Sequence, residues 1–587
     1  MISKIMFVCI WLCMIGSAFS TIIHVPNDYP TIQQGLNAAS TGDTVLVAPG
    51  IYFENIFWPL VNGIKLYSEL GSDTTKIDGG LTTSVIYFPG MIDIDTMTVI
   101  KGFTIQNGYG DPDAGGIYLV NSSPVIKNNI IKYNKTQGRG GGICCSDTSS
   151  PLIISNVITV DSANCGGAIY CEEYCQAIIK YNKIENNAAT GYLARGGGIC
   201  CNNYSNAEVI GDTIVGNTTL GEGGGISCGY EANVLIDSNI ISNNSANGGG
   251  GVDCDRTHYT IISNNTILSN SAYDGGGISI SLGGPQVTNN QIIGNSATWT
   301  GGGISIAGGS SSMILGNYIS NNTAVSVEGG GGIYCSGDGS DTIKNNIIVN
   351  NIAYDGGGIN CSNYTGSINS AIIGDSISGN IAYRNGGGIF CRASSGPHIK
   401  FNTISDNNAD SLGDGIYCKD NSFPIVDSNN IYDNGYGAYN ADNSQMLMAE
   451  YNWWGDPSGP YHPALNPGGL GDSTNILVDP VPWLTTPVGA VQEDEIRHIS
   501  VQNQIKQNYP NPFCQTTTIN YYCFKPARVT IIIYNIVGQN VATLIDRIET
   551  VGEHAAIWDA RALNPGVYFY QVTINDCRWT RKCLLMK

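Results

Sequence analysis

Asp253 and Asp255 stand two apart in the stretch Val252-Asp-Cys-Asp-Arg-Thr-His258, so on an extended chain both carboxylates fall on one face. Arg256 and His258 follow directly. Paired acids beside a guanidinium suit general acid–base work, and with more oxygens they suit a hard cation such as calcium. Glu222 and Asp274 would supply those oxygens if the fold carried their segments alongside. Asp253, Asp255 and Arg256 are therefore the candidate catalytic residues, and Glu222, Asp253, Asp255 and Asp274 the candidate calcium ligands. The plainer reading of the same side chains is a set of solvated acids on an acidic surface. Which reading holds depends on the elements that position them.

Those elements are set by a repeat. The phrase Gly-Gly-Gly-Ile, or a close variant, returns about every 26 residues, with its Ile or Val at 117, 143, 169, 199, 226, 252, 278, 304, 333, 359, 389 and 416. A fixed period of this size marks a stacked architecture. A second phrase, Asn/Asp-x-Ile-x-x-Asn/Asp, follows most markers by 14 or 15 residues, as in Asn129-Ile131-Asn134 and Asn265-Ile267-Asn270. A short apolar run such as Pro124-Val125-Ile126 lies between the two phrases. Three very short strands per unit, separated by turn formers, cannot bury a face alone. Stacked in parallel on their copies one unit later, they can, which predicts an all-β fold: a right-handed parallel β-helix (a single-stranded solenoid). At ~4.8 Å per strand, twelve rungs span roughly 58 Å.

In this register Glu222 and Asp274, each four residues before a marker, lie on the rungs flanking Asp253 and Asp255. Two residues after the markers the side chains are Leu119, Ile280, Ile306 and nine Cys, all apolar, so this column points inward. The Cys stack reads as small buried hydrophobes, since no CxxC pair with zinc spacing occurs. Disulfides between neighbouring rungs stay open as an alternative if the chain is exported. Corner Asn residues can stack as amide ladders and can adopt the left-handed conformation. One residue after the markers, Tyr118, Tyr170, Tyr334, Phe390 and Tyr417 face outward, either as a platform for sugar rings or as ordinary cross-rung packing.

Residues 1–20 read as a signal peptide: an apolar run from Ile5 to Ile15, then Ala18 and Ser20 before Thr21. No later stretch is long and apolar enough to span a bilayer. With 27 Lys plus Arg against 47 Asp plus Glu, the net charge is −20, which disfavours nucleic acid or an anionic membrane as partner. Residues 21–60 form an N-terminal cap, with Ile32, Leu36 and Ala39 at helical spacing behind Thr31; 61–450 are the repeats; 451–484, with Trp453 and Trp454, close the last coil; 485–502 are a polar linker; and 503–587 change to alternating strands of a small Ig-like β-sandwich.

The segment around Pro49-Gly-Ile-Tyr-Phe-Glu54 resembles the start of pectate-lyase-like and pectinesterase-like β-helix proteins, where a short helix plugs the first coil. The paired repeat phrases resemble those of polymorphic autotransporter adhesins, with Ile in place of Phe, and Asn452-Trp-Trp-Gly455 resembles the segment that closes many bacterial β-helices. Residues 503–587 resemble the type A C-terminal sorting domain of the type IX secretion system, through Tyr509-Pro-Asn-Pro-Phe513, Ile533-Tyr-Asn-Ile-Val-Gly-Gln-Asn-Val541 and Leu563-Asn-Pro-Gly-Val-Tyr-Phe-Tyr-Gln-Val572 in the family's order. That resemblance implies the type IX machinery as a partner and a secreted, extracellular or outer-membrane-surface location.

The solenoid resemblance implies a polysaccharide or cell-surface glycan as the other partner. It leaves two function classes. The first is a non-catalytic adhesin or glycan-binding protein; the second is a carbohydrate-active enzyme, a polysaccharide lyase or glycoside hydrolase. The Gln/Asp/Asp/Arg motifs of pectinesterases and the Gly-His-Gly of polygalacturonases are absent, and the six His are scattered, which favours the first class. The looser lyase pattern of calcium carboxylates plus a basic residue is met by the acids named above. No cofactor is required by either class except calcium in that case.

Overall fold

The structure is a computed structural model that describes residues 20–489 and 508–586, apart from 192, 338, 364–369, 509, 524–526, 536–538, 550–551 and 575–576. The apolar run of the expected signal peptide and most of the expected linker lie outside the described residues. Two compact units divide between Val488 and Gly489.

The first unit is a parallel β-solenoid. One ladder of sixteen strands runs from Ile22–Val25 to Ile425–Asp427, and a second of fifteen runs from Gly50–Phe53 to Asn430–Tyr432. A third carries the repeat markers, each pairing with the marker one rung later: Ile226 with Val252, Val252 with Ile278, Ile278 with Ile304. The side-chain period of two then sends Val252 and Cys254 inward, beside Ile262 and Ile267 of the same rung, all at 0% exposure. Each fully buried aliphatic side chain contributes roughly 1.5–3 kcal/mol, too little for one rung to hold its own backbone in order, so stability is shared between neighbours. The inward Cys of the marker ladder are buried as free thiols.

Most rungs have a fourth short strand that the repeat phrases did not announce. It lies just before the glycines, as in Ser271–Asp274 and Ser296–Thr300, and forms ladders of five and six strands. Two- to five-residue strands of mixed polarity carry no periodicity to read; they exist because the preceding turn aligns them with their copies.

At two corners the expected amide ladders form. Asn265 Oδ1 accepts from the backbone N–H and the Nδ2 of Asn239, both at 2.9 Å, while Asn265 Nδ2 donates to Ile236 O at 2.8 Å and to Asn290 Oδ1 at 3.0 Å. The left-handed residue is the one before each ladder member, such as Asn128 (φ 54) or Asn264 (φ 56), and not the ladder Asn itself. The bend must be made by the preceding residue for the amide to point inward.

The first coil is plugged by the helix Ile32–Ala38, whose Ile32 and Leu36 are fully buried. Thr31 Oγ1 accepts from Gln34 N–H, and the Glu54 carboxylate accepts from Ile32 and Gln33 N–H at 2.9 and 3.0 Å, so its free amides are satisfied. At the far end Trp454 is fully buried and Trp453 nearly so. The second unit holds two antiparallel sheets, Thr516–Cys523 with Gly552–Asp559 and a four-stranded sheet that includes Ala527–Asn535 and Gly566–Ile574. Both sheets contribute to one core around Phe513, Trp558 and Tyr570.

Candidate functional site

The glycine corner makes the site. Gly249 sits at φ 60, where a Cβ would overlap the Val252 carbonyl oxygen, so the chain reverses there as only glycine allows. The reversal lays the residue four before each marker over the outer face of the marker strand. Within one rung, Thr300 Oγ1 is thereby 3.0 Å from Ser305 Oγ. Repeated along the axis, the overhang forms a trench. Its rim pairs Arg195 with Glu222, Glu222 with Gly248, Gly248 with Asp274 and Asp274 with Thr300 in register.

Between the rungs of Arg195 and Tyr334 the trench widens into a cleft of about 460 Å³ lined by Arg195, Glu222, Asp253, Asp255, Asp274 and Trp299, among others. The four acids expected from sequence therefore line one cleft, although no three of them bring their carboxylate oxygens within 4.8 Å of one another. Asp253 and Asp255 face outward as expected, yet they are 1% and 9% exposed, because the rim covers them. Asp253 Oδ2 accepts from Ser227 Oγ at 3.4 Å, Asp255 Oδ1 from Ser281 Oγ at 3.2 Å and Asp274 Oδ1 from Thr300 Oγ1 at 2.6 Å. Glu222 occupies the space that the missing side chain of Gly248 leaves open.

The cation inside the cleft is Arg195, not Arg256. Arg195 Nη2 is 2.9 Å from Asp255 Oδ2, two rungs on, and its guanidinium lies over the Tyr230 ring at 5.1 Å. It reaches that far because the rung it crosses carries Gly229, where a Cβ would stand 2.7 Å from Nη1. Arg256 (φ 55) turns outward, half exposed, with Nη1 3.7 Å from the same carboxylate. His258 is exposed and faces Glu231 at 3.7 Å. The signal for Arg195 was in the sequence: it occupies the same position before its marker as Glu222 and Asp274 do before theirs.

Burial pushes the Asp253 carboxyl well above the usual carboxylate range, and the Glu222 charge pushes it further. Burial also raises Glu222, with Asp255 and Asp274 adding and Arg195 opposing, and it raises Asp274 against the hydrogen bonds of Thr300. The cleft thus holds carboxyls that take up protons readily beside an ion-paired Asp255.

The outward aromatics do not form an open platform. Tyr170, Tyr334, Phe390 and Tyr417 are 0–7% exposed, covered by the overhanging rim, and Phe390, Tyr417 and Tyr439 stack at 5.5 and 5.8 Å. An exposed ring in the cleft lining is Trp299, which stacks on the equally exposed Tyr273 at 5.7 Å and an interplanar angle of 7°. Elsewhere in the trench Arg139 is held by Asp113 (2.8 Å) and Glu172, and Arg384 by Asp355.

The family model described as "Right handed beta helix region" matches residues 141–324 and 319–454, more than half of the chain. The chain belongs to the right-handed β-helix family. Residues 507–586 of this β-helix protein match the secretion system C-terminal sorting domain. That domain implies export by the type IX route and marks the protein for the cell surface or the extracellular space. No curated protein matches the chain. Among solved structures, the tailspike gp61 of Pseudomonas phage phi297 is 12% identical over 93% of this chain and 92% of that one, with a TM-score of 0.25, a likeness too loose to carry any argument.

Proposed function

We propose that this exported β-helix protein binds a polysaccharide in the trench, centred on the cleft between Arg195 and Tyr334. The carrying observation is the exposed Trp299 ring, braced by Tyr273, at the wall of a cleft lined by carboxylates and by the hydroxyls of Ser279, Ser281, Ser305 and Ser336. A ring face for the C–H side of a sugar next to several hydrogen-bonding groups supports carbohydrate recognition. The sorting domain at the C-terminus supports a surface or secreted role for that binding.

The second reading, a polysaccharide lyase or glycoside hydrolase, is favoured by one feature: buried carboxyls with raised proton affinity beside the ion-paired Asp255. In that reading Asp253 carries the proton to be donated and Asp255, aligned by Arg195 and flanked by Arg256, acts as its partner. Glu222, Asp253, Asp255 and Asp274 hold enough oxygens for calcium, and binding it would draw them closer together than they stand here.

The test uses the purified full chain on immobilised neutral, acidic and amine-bearing plant, algal and bacterial polysaccharides, with and without calcium, reading retention and released oligosaccharides. Retention that falls at least tenfold in Trp299→Ala supports the binding reading. Released products that vanish in Asp253→Asn would establish the enzyme reading. Absence of both retention and released products on every polymer would overturn both.

A further inference from the structure

Inside the solenoid, apart from the trench, lies a second group of side chains with chemistry to offer. The Sγ atoms of Cys145, Cys171 and Cys175 all lie within 4.8 Å of one another, and all three residues are buried. Among the described residues this is where three ligating groups converge so closely. Cys145 and Cys171 belong to the inward column and pair across one rung. Cys175 does not belong to it. It stands four residues beyond Cys171, at the position where other rungs carry Ser149, Ser205, Ala232, Ser395 and Ser422, all 0–1% exposed. Glu173 and Tyr174, both left-handed at φ 54 and 64, bring the chain round so that Cys175 faces the interior.

That one replacement changes what the column can do. Sulfurs in a straight ladder are a strand spacing apart, so an ion between two of them has two ligands and no more. A third sulfur out of line closes a triangle. With metal–sulfur bonds of about 2.3 Å, planar three-coordination places sulfurs roughly 4 Å apart, within the separation found here. The hydrophobic core here includes Ile143, Ile153, Ile169, Ala177 and Ile179, and the oxygens at the Cys175 position of the adjacent rungs are the neutral hydroxyls of Ser149 and Ser205, weaker ligands for a soft ion than thiolates. Thiolates alone in a dry site select soft cations over calcium or magnesium.

We propose that Cys145, Cys171 and Cys175 form a three-thiolate site for a soft d10 cation. Binding releases the three thiol protons to solvent and involves no change of oxidation state when the ion enters as monovalent copper or as zinc. Three ligands satisfy monovalent copper. Zinc would recruit a fourth, and Cys201, paired one rung beyond Cys171, is the sulfur in line to supply it. The site is independent of the glycan reading.

The test takes the full chain, purified reduced and without oxygen, and titrates it with monovalent copper against a competing chelator, and separately with zinc. One equivalent per chain is expected to survive the chelator, with thiolate-to-metal absorption for copper. X-ray absorption should count three sulfurs for copper, or four for zinc, at about 2.3 Å. Cys175→Ser, which installs the residue of neighbouring rungs, should lose that equivalent. Cys361→Ser, in a straight part of the column, should keep it. Equal uptake by Cys175→Ser, no retained equivalent in the unaltered chain, or a disulfide from Cys175 in the native protein would overturn the proposal. Should Cys175→Ser fail to fold, the sulfur count on the unaltered chain decides, and two sulfurs or a nitrogen–oxygen shell would overturn it.

Discussion

At the corner running from Asn129 to Asn452, successive rungs present the same inward amide, with Asp at 212 and 375 as the exceptions. At the glycine corner the side chains on the trench rim change with every rung: Asp113, Arg139, Cys165, Arg195, Glu222, Gly248. Both corners obey the same rung spacing, but they answer to different constraints. An inward amide is buried, and its partners are the ladder amides and backbone groups of the neighbouring rungs, as Asn265 shows with Asn239, Ile236 and Asn290, so one change leaves buried donors without a partner. A rim side chain borders water and can vary without cost to its neighbours. The repeat therefore preserves stability on its inner corners and writes chemistry on its outer one.

The sharpest way to break this contrast is to remove one ladder amide. Asn265→Ala deletes four hydrogen bonds and leaves the Asn239 backbone N–H and one Asn239 Nδ2 hydrogen unpaired, while Asn290 Oδ1 keeps the backbone N–H of residue 265; at 1–3 kcal/mol for each of the two orphaned groups, the loss should be about 4 kcal/mol in chemical denaturation. A loss below about 1 kcal/mol would mean that the ladder is ornamental. On the trench side, Asp253→Asn combined with Asp255→Asn should cost less, about 1–2 kcal/mol, because burial already disfavours charge at Asp253 and the cost comes from the Arg195–Asp255 ion pair. Glycan retention, calcium affinity or turnover should nevertheless fall at least tenfold, about 1.4 kcal/mol. Intact function in the double variant would place the site elsewhere in the trench.

The two Asp exceptions sharpen the comparison further. Burial pushes Asp212 and Asp375 up to about 7, against the hydrogen bonds they accept from Asn182 and Asn346, and Oδ2 of each is buried with no partner. A proton turns that oxygen into a donor and completes the ladder. Because the folded value lies above the unfolded 3.8, the stabilisation from each proton is fully present below about pH 4 and is lost as the pH rises through about 7. Asp212→Asn should therefore match the unaltered protein in acid and gain about 1–2 kcal/mol on it above pH 7. A difference that did not change with pH would refute the protonated ladder. The smallest effect belongs to the rim: Trp299→Ala should move stability by less than about 0.5 kcal/mol while weakening glycan binding.

Much of this was legible in advance because it depends on spacing alone. The markers at Ile226, Val252 and Ile278 set the register, the register set which side chains face inward, and the recurring Asn announced the ladders. That Glu222 and Asp274 flank Asp253 and Asp255 also followed from counting residues to the markers. Arg195 could have been found by the same count, although only the absence of side chains at Gly229 and Gly248 lets it cross a rung to Asp255 and lets Glu222 lie down beside it. The fourth short strand escaped because two to five residues of mixed polarity hold no readable period.

The sequence by itself determined the stack: a repeat near 26 residues, combined with a side-chain period of two, leaves one economical way to bury the Ile and Cys columns. Tertiary structure alone decided how sharply the chain folds back at the glycines. That curvature buries Asp253, hides Tyr170 and Phe390, and builds the cleft, since it depends on the left-handed backbone at Gly249 and its equivalents rather than on any pattern of polarity. It likewise took the turn at Glu173 and Tyr174 to carry Cys175 into reach of Cys145 and Cys171. Distance along a rung can be counted from sequence, whereas distance across a corner is set by backbone angles.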